Sequence, residues 1–543
     1  MKNRYALFFA LLAGTVLILF ANVFVQDRMA VVVKEDKLVD ESFAAEGTPP
    51  IVAFSTMALG GFRGLIADVL WLRAGELQQK GKYYELVQLS DWILKLQPKF
   101  STAASHMGWN MAYNISVACK RPEDRWRWVR RGIQLMQEAV AMNPNNPDVY
   151  HELGWIYQHK LGNVLDDAQR YYKETMAREL VFVYGKHSPD WEAWAAAPAT
   201  EEALRERFPA DHPAWLALMA YNQGDLARLF GEFQLNGGLP KELKDKLSDE
   251  DASVLDCYFR RKWLKKDWSL EPEKILAVNK VYGKLDWLLP ESFAIYWAHV
   301  GLEHTPGNEN LALTRQILQS LVATFNYGRM LLPKDNEVSD FFLLVPNTDV
   351  IDATRALYKK ILKESKYSTA IFESLYENFL IDSIVTLYIY SQKEEAAKLF
   401  QELRTETKNG NSRIMTLDQF VLNEWEDDIT SSDFKQIANE LEGILFTSCL
   451  LIGYGDREAA ADHLALALRV YDSYARKHAD IDRVTLPPFS EMKARTARAI
   501  IENYPPEIAN RVRAELEEDL KKQEQQAAEK AAASGAGQEA AGS

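Results

Sequence analysis

Between about Ala67 and Arg178 one pattern returns after roughly 34 to 46 residues, and it decides what kind of fold the chain can adopt. Its clearest copy reads Pro147-Asp148-Val149-Tyr150-His151-Glu152-Leu153-Gly154-Trp155-Ile156-Tyr157, followed by Ala168, Tyr172 and Thr175. A leucine, a glycine and an aromatic three positions on describe a helix with one residue small enough to admit a neighbouring backbone. The small-x3-aromatic-x2-small spacing that follows describes the partner helix filling that gap, so Gly154 is expected to lie at the junction of its own two helices. Such a unit cannot bury its apolar face alone, and copies must stack. No run of residues shows sustained β alternation bounded by turns, so the fold class expected is all-α.

Two further copies precede this one. The first ends with Gly81-Lys82-Tyr83-Tyr84-Glu85-Leu86-Val87, then Ile93, Leu96 and Pro98. Leu86 and Ile93 stand where small residues are expected, which predicts looser packing. The second offers Met107-Gly108 and Met111, then Gly132, Met136, Ala139 and Pro144, with about a dozen extra residues around Val117–Trp126 expected to separate its helices. Together the copies resemble the tetratricopeptide repeat, closely over about 110 residues and weakly over about 120 more. The resemblance implies a TPR-like α-solenoid of antiparallel helix hairpins.

In that family ligands usually lie in a concave groove lined by the first helices. Matched position by position, the resemblance places Trp71 and Gln78, then Ser105, Trp109 and Tyr113, then His151, Trp155, Gln158 and His159 in the groove, with Asn110 and Asn114 on the same helix. Chaperone-binding members hold a peptide carboxylate with lysines and asparagines, and the matching positions here lack the basic residues. An aromatic, amide-lined groove suits an extended segment or an amphipathic helix of a partner protein. Packing between repeats is the competing role for each of these side chains.

Beyond Arg178 the period fades. Residues 185–215, with Trp191, Trp194, Pro198, Pro209, Pro213 and Trp215, read as a packed insertion. Leu285–Pro290 and Ala294–Gly301 again look like a first repeat helix, and Lys393–Phe400 like a second. Around Gly455–Tyr474, Ala461, Leu464, Ala465 and Leu468 mark another helix face. The expected organisation is an N-terminal transmembrane anchor (1–25) and a charged stalk (26–50). Repeats with a cap (51–180), a degenerate helical region (181–350), C-terminal helical hairpins (351–518) and a disordered tail (519–543) follow.

Ala6–Val25 is apolar except for Thr15 and Asn22, and twenty residues span roughly 30 Å. A cleaved signal peptide is the rival, but Leu19-Phe20-Ala21 makes a poor cleavage site. Lys2 and Arg4 precede the run, so residues 6–25 are expected to cross a lipid bilayer once. The N-terminus would then be cytoplasmic and the folded region extracytoplasmic.

The net charge of −14 argues against nucleic acid as a partner. Three cysteines, Cys119, Cys257 and Cys449, form no metal or redox spacing. His151-Glu152 begins like a metalloprotease helix, but Trp155 stands where the second histidine belongs, and His151 and His159 make a poor metal pair. No cofactor and no catalytic residue is expected. Arg125-Trp126-Arg127-Trp128-Val129-Arg130-Arg131 could grip phosphates, yet it falls within a repeat helix, where its tryptophans would be core and its arginines paired. These features point to a membrane-anchored scaffold for protein–protein interaction in assembly or export at a cell envelope. The alternative is an envelope enzyme acting on glycans through a site in the tryptophan-rich region 185–350.

Overall fold

The computed structural model describes residues 63–522, apart from 98–99, 164–165, 187, 306–310, 333–337, 339–341, 365–368, 391, 408, 431–433, 478–485 and 520, together with Val25 and Arg28. The anchor expected over residues 6–25 therefore lies outside the described residues except for Val25, as do the stalk (Arg28 aside), the cap segment 51–62 and most of the tail. Among the described residues no helix is long and apolar enough to cross a membrane. The chain divides into two compact units, residues 1–104 and 105–543.

In the first unit α1 (Arg63–Gln79) and α2 (Tyr83–Leu96) form a hairpin turning at Gly81. Gly81 has φ +67°, a backbone conformation open to glycine because it lacks Cβ. Ala67, Ala74 and Leu77 are buried from α1, and Leu86, Ile93 and Leu96 from α2. Leu86 and Ile93, too large for the family pattern, are accommodated inside this hairpin.

The next hairpins follow from strong local signals. Helix α3 (Ser101–Trp109) passes into a wider π turn (Asn110–Ile115) and runs on to Ala118. Helix α4 (Pro122–Met142) opens with proline in its first turn and Glu123 and Asp124 facing the positive end of the helix dipole. Only residues 119–121 connect the two, so the expected dozen-residue separation at Val117–Trp126 does not exist. The extra residues lengthen the helices. A Cβ on Gly132 would lie 2.8 Å from the Gly108 carbonyl oxygen, so the pair touches backbone to backbone at its glycines. Helix α5 (Pro147–Trp155) starts where the Asn146 side chain accepts from the Asp148 N–H at 3.0 Å, and it too widens into a π turn, Ile156–Leu161. Helix α6 (Gln169–Tyr184) stops at Gly185, φ +72°.

A series of shorter helices then leaves the stack: α7 (Trp191–Ala196), α8 (Glu201–Arg207), α9 (Pro213–Asn222), α10 (Leu226–Asn236) and the single turn α11 (Lys241–Lys244). Helices α12 (Asp249–Trp268) and α13 (Pro272–Tyr282) lead back. Apart from the half-buried Trp215, the tryptophans of this excursion are interior: Trp191 meets Tyr184, Trp194 and Trp287 edge-on, and Trp268 meets Phe293. Its return is fixed by α4, whose Arg130 donates to the Asp267 carbonyl at 2.8 Å and whose Gln137 donates to the Trp268 carbonyl at 2.8 Å. Arg260 on α12 donates to the carbonyls of Val183 at 2.7 Å and Gly237 at 3.0 Å.

Helices α14 (Pro290–His304) and α15 (Leu311–Tyr327) then restore the stack by packing on α5. A Cβ on Gly301 would meet Tyr150 Cβ at 2.8 Å and Leu313 Cδ1 at 2.9 Å, which gives α14 the part of a first repeat helix. This also corrects the expectation for Gly154. Its missing Cβ makes room for the Gln316 side chain of α15, 2.7 Å away, and not for its own repeat's second helix.

An antiparallel two-stranded ribbon, β1 (Arg329–Leu331) with β2 (Leu343–Val345), pairs Met330 with Leu344 and is a small β addition to an otherwise helical chain. Helices α16 (Ile351–Glu364), α17 (Thr369–Ile389), α18 (Lys393–Glu406), α19 (Gly410–Ile414), α20 (Leu417–Thr430), α21 (Phe434–Tyr454), α22 (Arg457–Lys477) and α23 (Phe489–Asn503) follow. In α18, Ala396 and Phe400 are buried as expected. In α22 the buried face is Ala459, Ala460, Leu466, Ala467 and Val470, whereas Ala461 and Ala465 are exposed and Leu468 is 44% exposed.

Candidate functional site

Two first helices, α3 and α5, carry the same local sequence logic: Gly108-Trp109 with Tyr113 four residues on, and Gly154-Trp155 with His159 four residues on. In both, the π turn begins immediately after the tryptophan. An ordinary helix turns every 3.6 residues, which leaves positions i and i+4 offset, and the wider turn brings them closer to eclipse. Single π turns of this kind recur at functional sites.

The consequence is a row of stacked rings. Trp109 and Tyr113 stack with centroids 5.3 Å apart, and Trp155 stacks on His159 at 4.8 Å with planes 10° apart. Tyr113 bridges the repeats: its ring is 5.7 Å from His159, and its hydroxyl is 3.3 Å from His159 Nδ1. His151 extends the row beyond Trp155 at 6.2 Å. Trp109 is 40% exposed at one end, while Tyr113, His151, Trp155 and His159 are half-buried.

The other expected groove residues are placed differently. Asn114 donates to Asn110 Oδ1 at 2.5 Å and Asn110 donates to His106 Nδ1 at 3.2 Å, a polar row on α3. Asn110 is 1% exposed, so it supports α3 from inside. Gln158 donates to the Gln316 carbonyl at 3.3 Å, and Gln316 donates back to the His151 carbonyl at 3.1 Å, so Gln158 joins α5 to α15. Ser105 is half-buried on α3. Trp71 and Gln78 lie on α1 in the first unit, both half-buried, with Trp71 tilted against Phe100 at 5.8 Å.

Residues passed over in the sequence complete the electrostatics. Lys160, 3% exposed, pairs with Asp166, and its ammonium lies 5.4 Å from the Tyr113 ring centroid. Burial, reinforced by that cation, holds His159 below the usual histidine range. Burial first, then the carboxylates of Glu152 and Asp166, pushes the Tyr113 phenol well above its ordinary value. Burial raises the Glu152 carboxyl, against His151 and with Asp148. Burial thus disfavours the charged form of His159, and the Tyr113 phenol keeps its proton at neutral pH. Among the described residues no group of three or more His, Cys, Asp or Glu is placed to hold a metal ion.

The basic-aromatic stretch on α4 is structural. Trp126 is buried and donates to Glu179 at 2.9 Å, Arg125 pairs with Asp166 and Asp167, Arg127 pairs with Asp124 at 3.2 Å, and the Arg130 guanidinium covers Trp268 at 3.8 Å.

No curated protein matches the chain. The family model described as tetratricopeptide repeat matches residues 135–170, from the second half of α4 through α5 into the start of α6. With the glycine-packed hairpins on both sides of that match, the chain is a TPR-like helical repeat protein.

Proposed function

We propose that this protein is a non-catalytic scaffold that captures a segment of a partner protein along the ring row of α3 and α5. We further propose that it does so at the membrane of a cell envelope, in assembly or export. A tetratricopeptide repeat supports protein interaction at a general level. The observation that carries the finer reading is the row itself, in which two successive repeats align their rings around matching π turns and leave Trp109 open to solvent. Aromatic anchors of this type dominate the energetics of protein interfaces. The apolar run at residues 6–25, following Lys2 and Arg4, supports a single-pass anchor with the repeats on the extracytoplasmic side. The glycan-enzyme alternative rested on the tryptophans of residues 185–350. Trp191, Trp194, Trp263, Trp268, Trp287 and Trp297 are buried and offer no stacking face to a sugar, and the half-buried Trp215 has the Arg205 guanidinium 5.1 Å from its ring centroid.

The test is photo-crosslinking in intact membranes. A photoreactive phenylalanine replaces Trp109 or Trp155 in the full chain, with Leu235, an 83% exposed residue of α10, as the control position. Protein adducts at the row and none at Leu235 support capture there. Equal yields at all three positions sink it.

A further inference from the structure

We infer that the row takes a basic side chain, a lysine or arginine of an extended partner segment, with Glu152 as its counter-ion. This rests on the capture reading above and adds the chemistry of what is captured. Asp148, Glu152 and Trp155 recur at i, i+4 and i+7 on α5, the spacing of one helix face. Glu152 stands three residues before Trp155 on the same helix face, and its charge, after burial, helps hold the phenolic proton of Tyr113. It is half-buried, and among the described residues its carboxylate makes no hydrogen bond or ion pair; the neighbouring His151 offsets its burial only in part, and the exposed Asp148 carboxylate opposes it. Lys160, a cation of the same helix, is committed to Asp166 in the interior.

A partly desolvated carboxylate without a partner is costly, and it is relieved by a cation brought from outside. Aromatic faces beside it add to that attraction, because their quadrupoles favour an ammonium or guanidinium within about 6 Å. Burial disfavours the charged form of His159, which lessens its repulsion of an incoming cation. The polarity is the reverse of a carboxylate clamp. A net charge of −14 favours the same class of partner at long range.

The experiment presents the detergent-solubilised full chain to an array of short random peptides at low salt. The proposal expects retained peptides to be enriched in lysine or arginine. Glu152→Gln should weaken a retained basic peptide by roughly tenfold or more, the equivalent of one charge-assisted hydrogen bond. Acetylating the peptide's lysine should do the same to wild type. Retained peptides without basic enrichment, or unchanged basic preference in the Glu152→Gln/Asp148→Asn double variant, overturn the proposal while leaving capture intact. Retention of no peptide overturns both, as does binding that survives Trp155→Ala unchanged. Circular dichroism of each variant verifies that it is folded.

Discussion

Gly132→Ala and Gly231→Ala make the same chemical change at the middle of a helix and should move stability in opposite directions. Replacing a helical glycine by alanine gains about 1 kcal/mol from reduced backbone freedom in the unfolded chain. At Gly231 in α10 nothing lies within 4 Å of the added Cβ, so that gain is realised. At Gly132 the Cβ would sit 2.8 Å from the Gly108 carbonyl oxygen, more than half an ångström inside ordinary contact, and the obstacle is backbone. Helices α3 and α4 must then part, at an overpacking cost of about 1–3 kcal/mol. In α4 the net effect of Gly132→Ala is that cost less the gain, up to about 2 kcal/mol or roughly thirtyfold faster opening of its slow amides, while Gly231→Ala should slow opening of α10 about fivefold. Hydrogen exchange on the full chain reads this helix by helix, without requiring the whole chain to unfold as one unit. Gly108→Ala should be milder, because its Cβ meets a side chain, Met136 Cγ at 2.7 Å and Sδ at 2.8 Å, with backbone no nearer than 3.4 Å. Greater protection of α4 in Gly132→Ala than in wild type, matching what Gly231→Ala does to α10, would refute the close-packed glycine contact.

Trp109→Ala should leave thermal stability nearly unchanged, because the side chain is 40% exposed, yet it should cost about 2 kcal/mol of partner affinity, near thirtyfold. Trp155→Ala should weaken capture as strongly and lower the melting temperature more, since it removes the ring stacked between His151 and His159; a large melting drop for Trp109→Ala would move that residue into the core. Glu152→Gln should stabilise the free protein at neutral pH. A carboxyl raised on folding contributes stability at low pH that is lost as pH climbs through its folded value, so the variant's melting advantage should vanish by about pH 4, and a pH-independent difference would contradict burial as the cause. If residues 6–25 form an uncleaved anchor, the full chain with Met1 retained should stay in the membrane pellet after an alkaline wash, and a soluble form beginning near Asn22 would exclude it.

What could be read from the sequence was local. The i, i+4 pairs Trp109/Tyr113 and Trp155/His159 announced a shared face, and Gly108 with Gly132 announced a close approach. The π turns could not be read, because counting at 3.6 residues per turn cannot register one inserted residue when both periods remain apolar. Glu152 was weighed only as part of an incomplete metal motif, and its lack of a partner is a property of the folded surroundings. Gly154 looked like a contact with its own hairpin because the competing neighbour, Gln316, is far away along the chain. In α22 alanines occupy every side of the helix, and alanine gives almost no signal about which side is buried. The return of the chain to α5 at Pro290 is a long-range contact that no local pattern encodes.

That return explains how a solenoid tolerates so long a departure between α6 and α14. Closing a longer loop costs little extra entropy, since the penalty grows only with the logarithm of its length. What matters is that the departing and arriving ends are held, and both are. Arg260 gathers the carbonyls of Val183 and Gly237 at the exit, and Arg130 and Gln137 of α4 seize Asp267 and Trp268 near the return. Gln316 then closes on the backbone of α5 at His151, directly behind the rings. Helix α5 is thus fixed from behind by α14 and α15 before any partner arrives. A binding face whose rotamers and helix positions are already set loses less entropy on association, so under the proposed capture the excursion would add rigidity while supplying none of the rings.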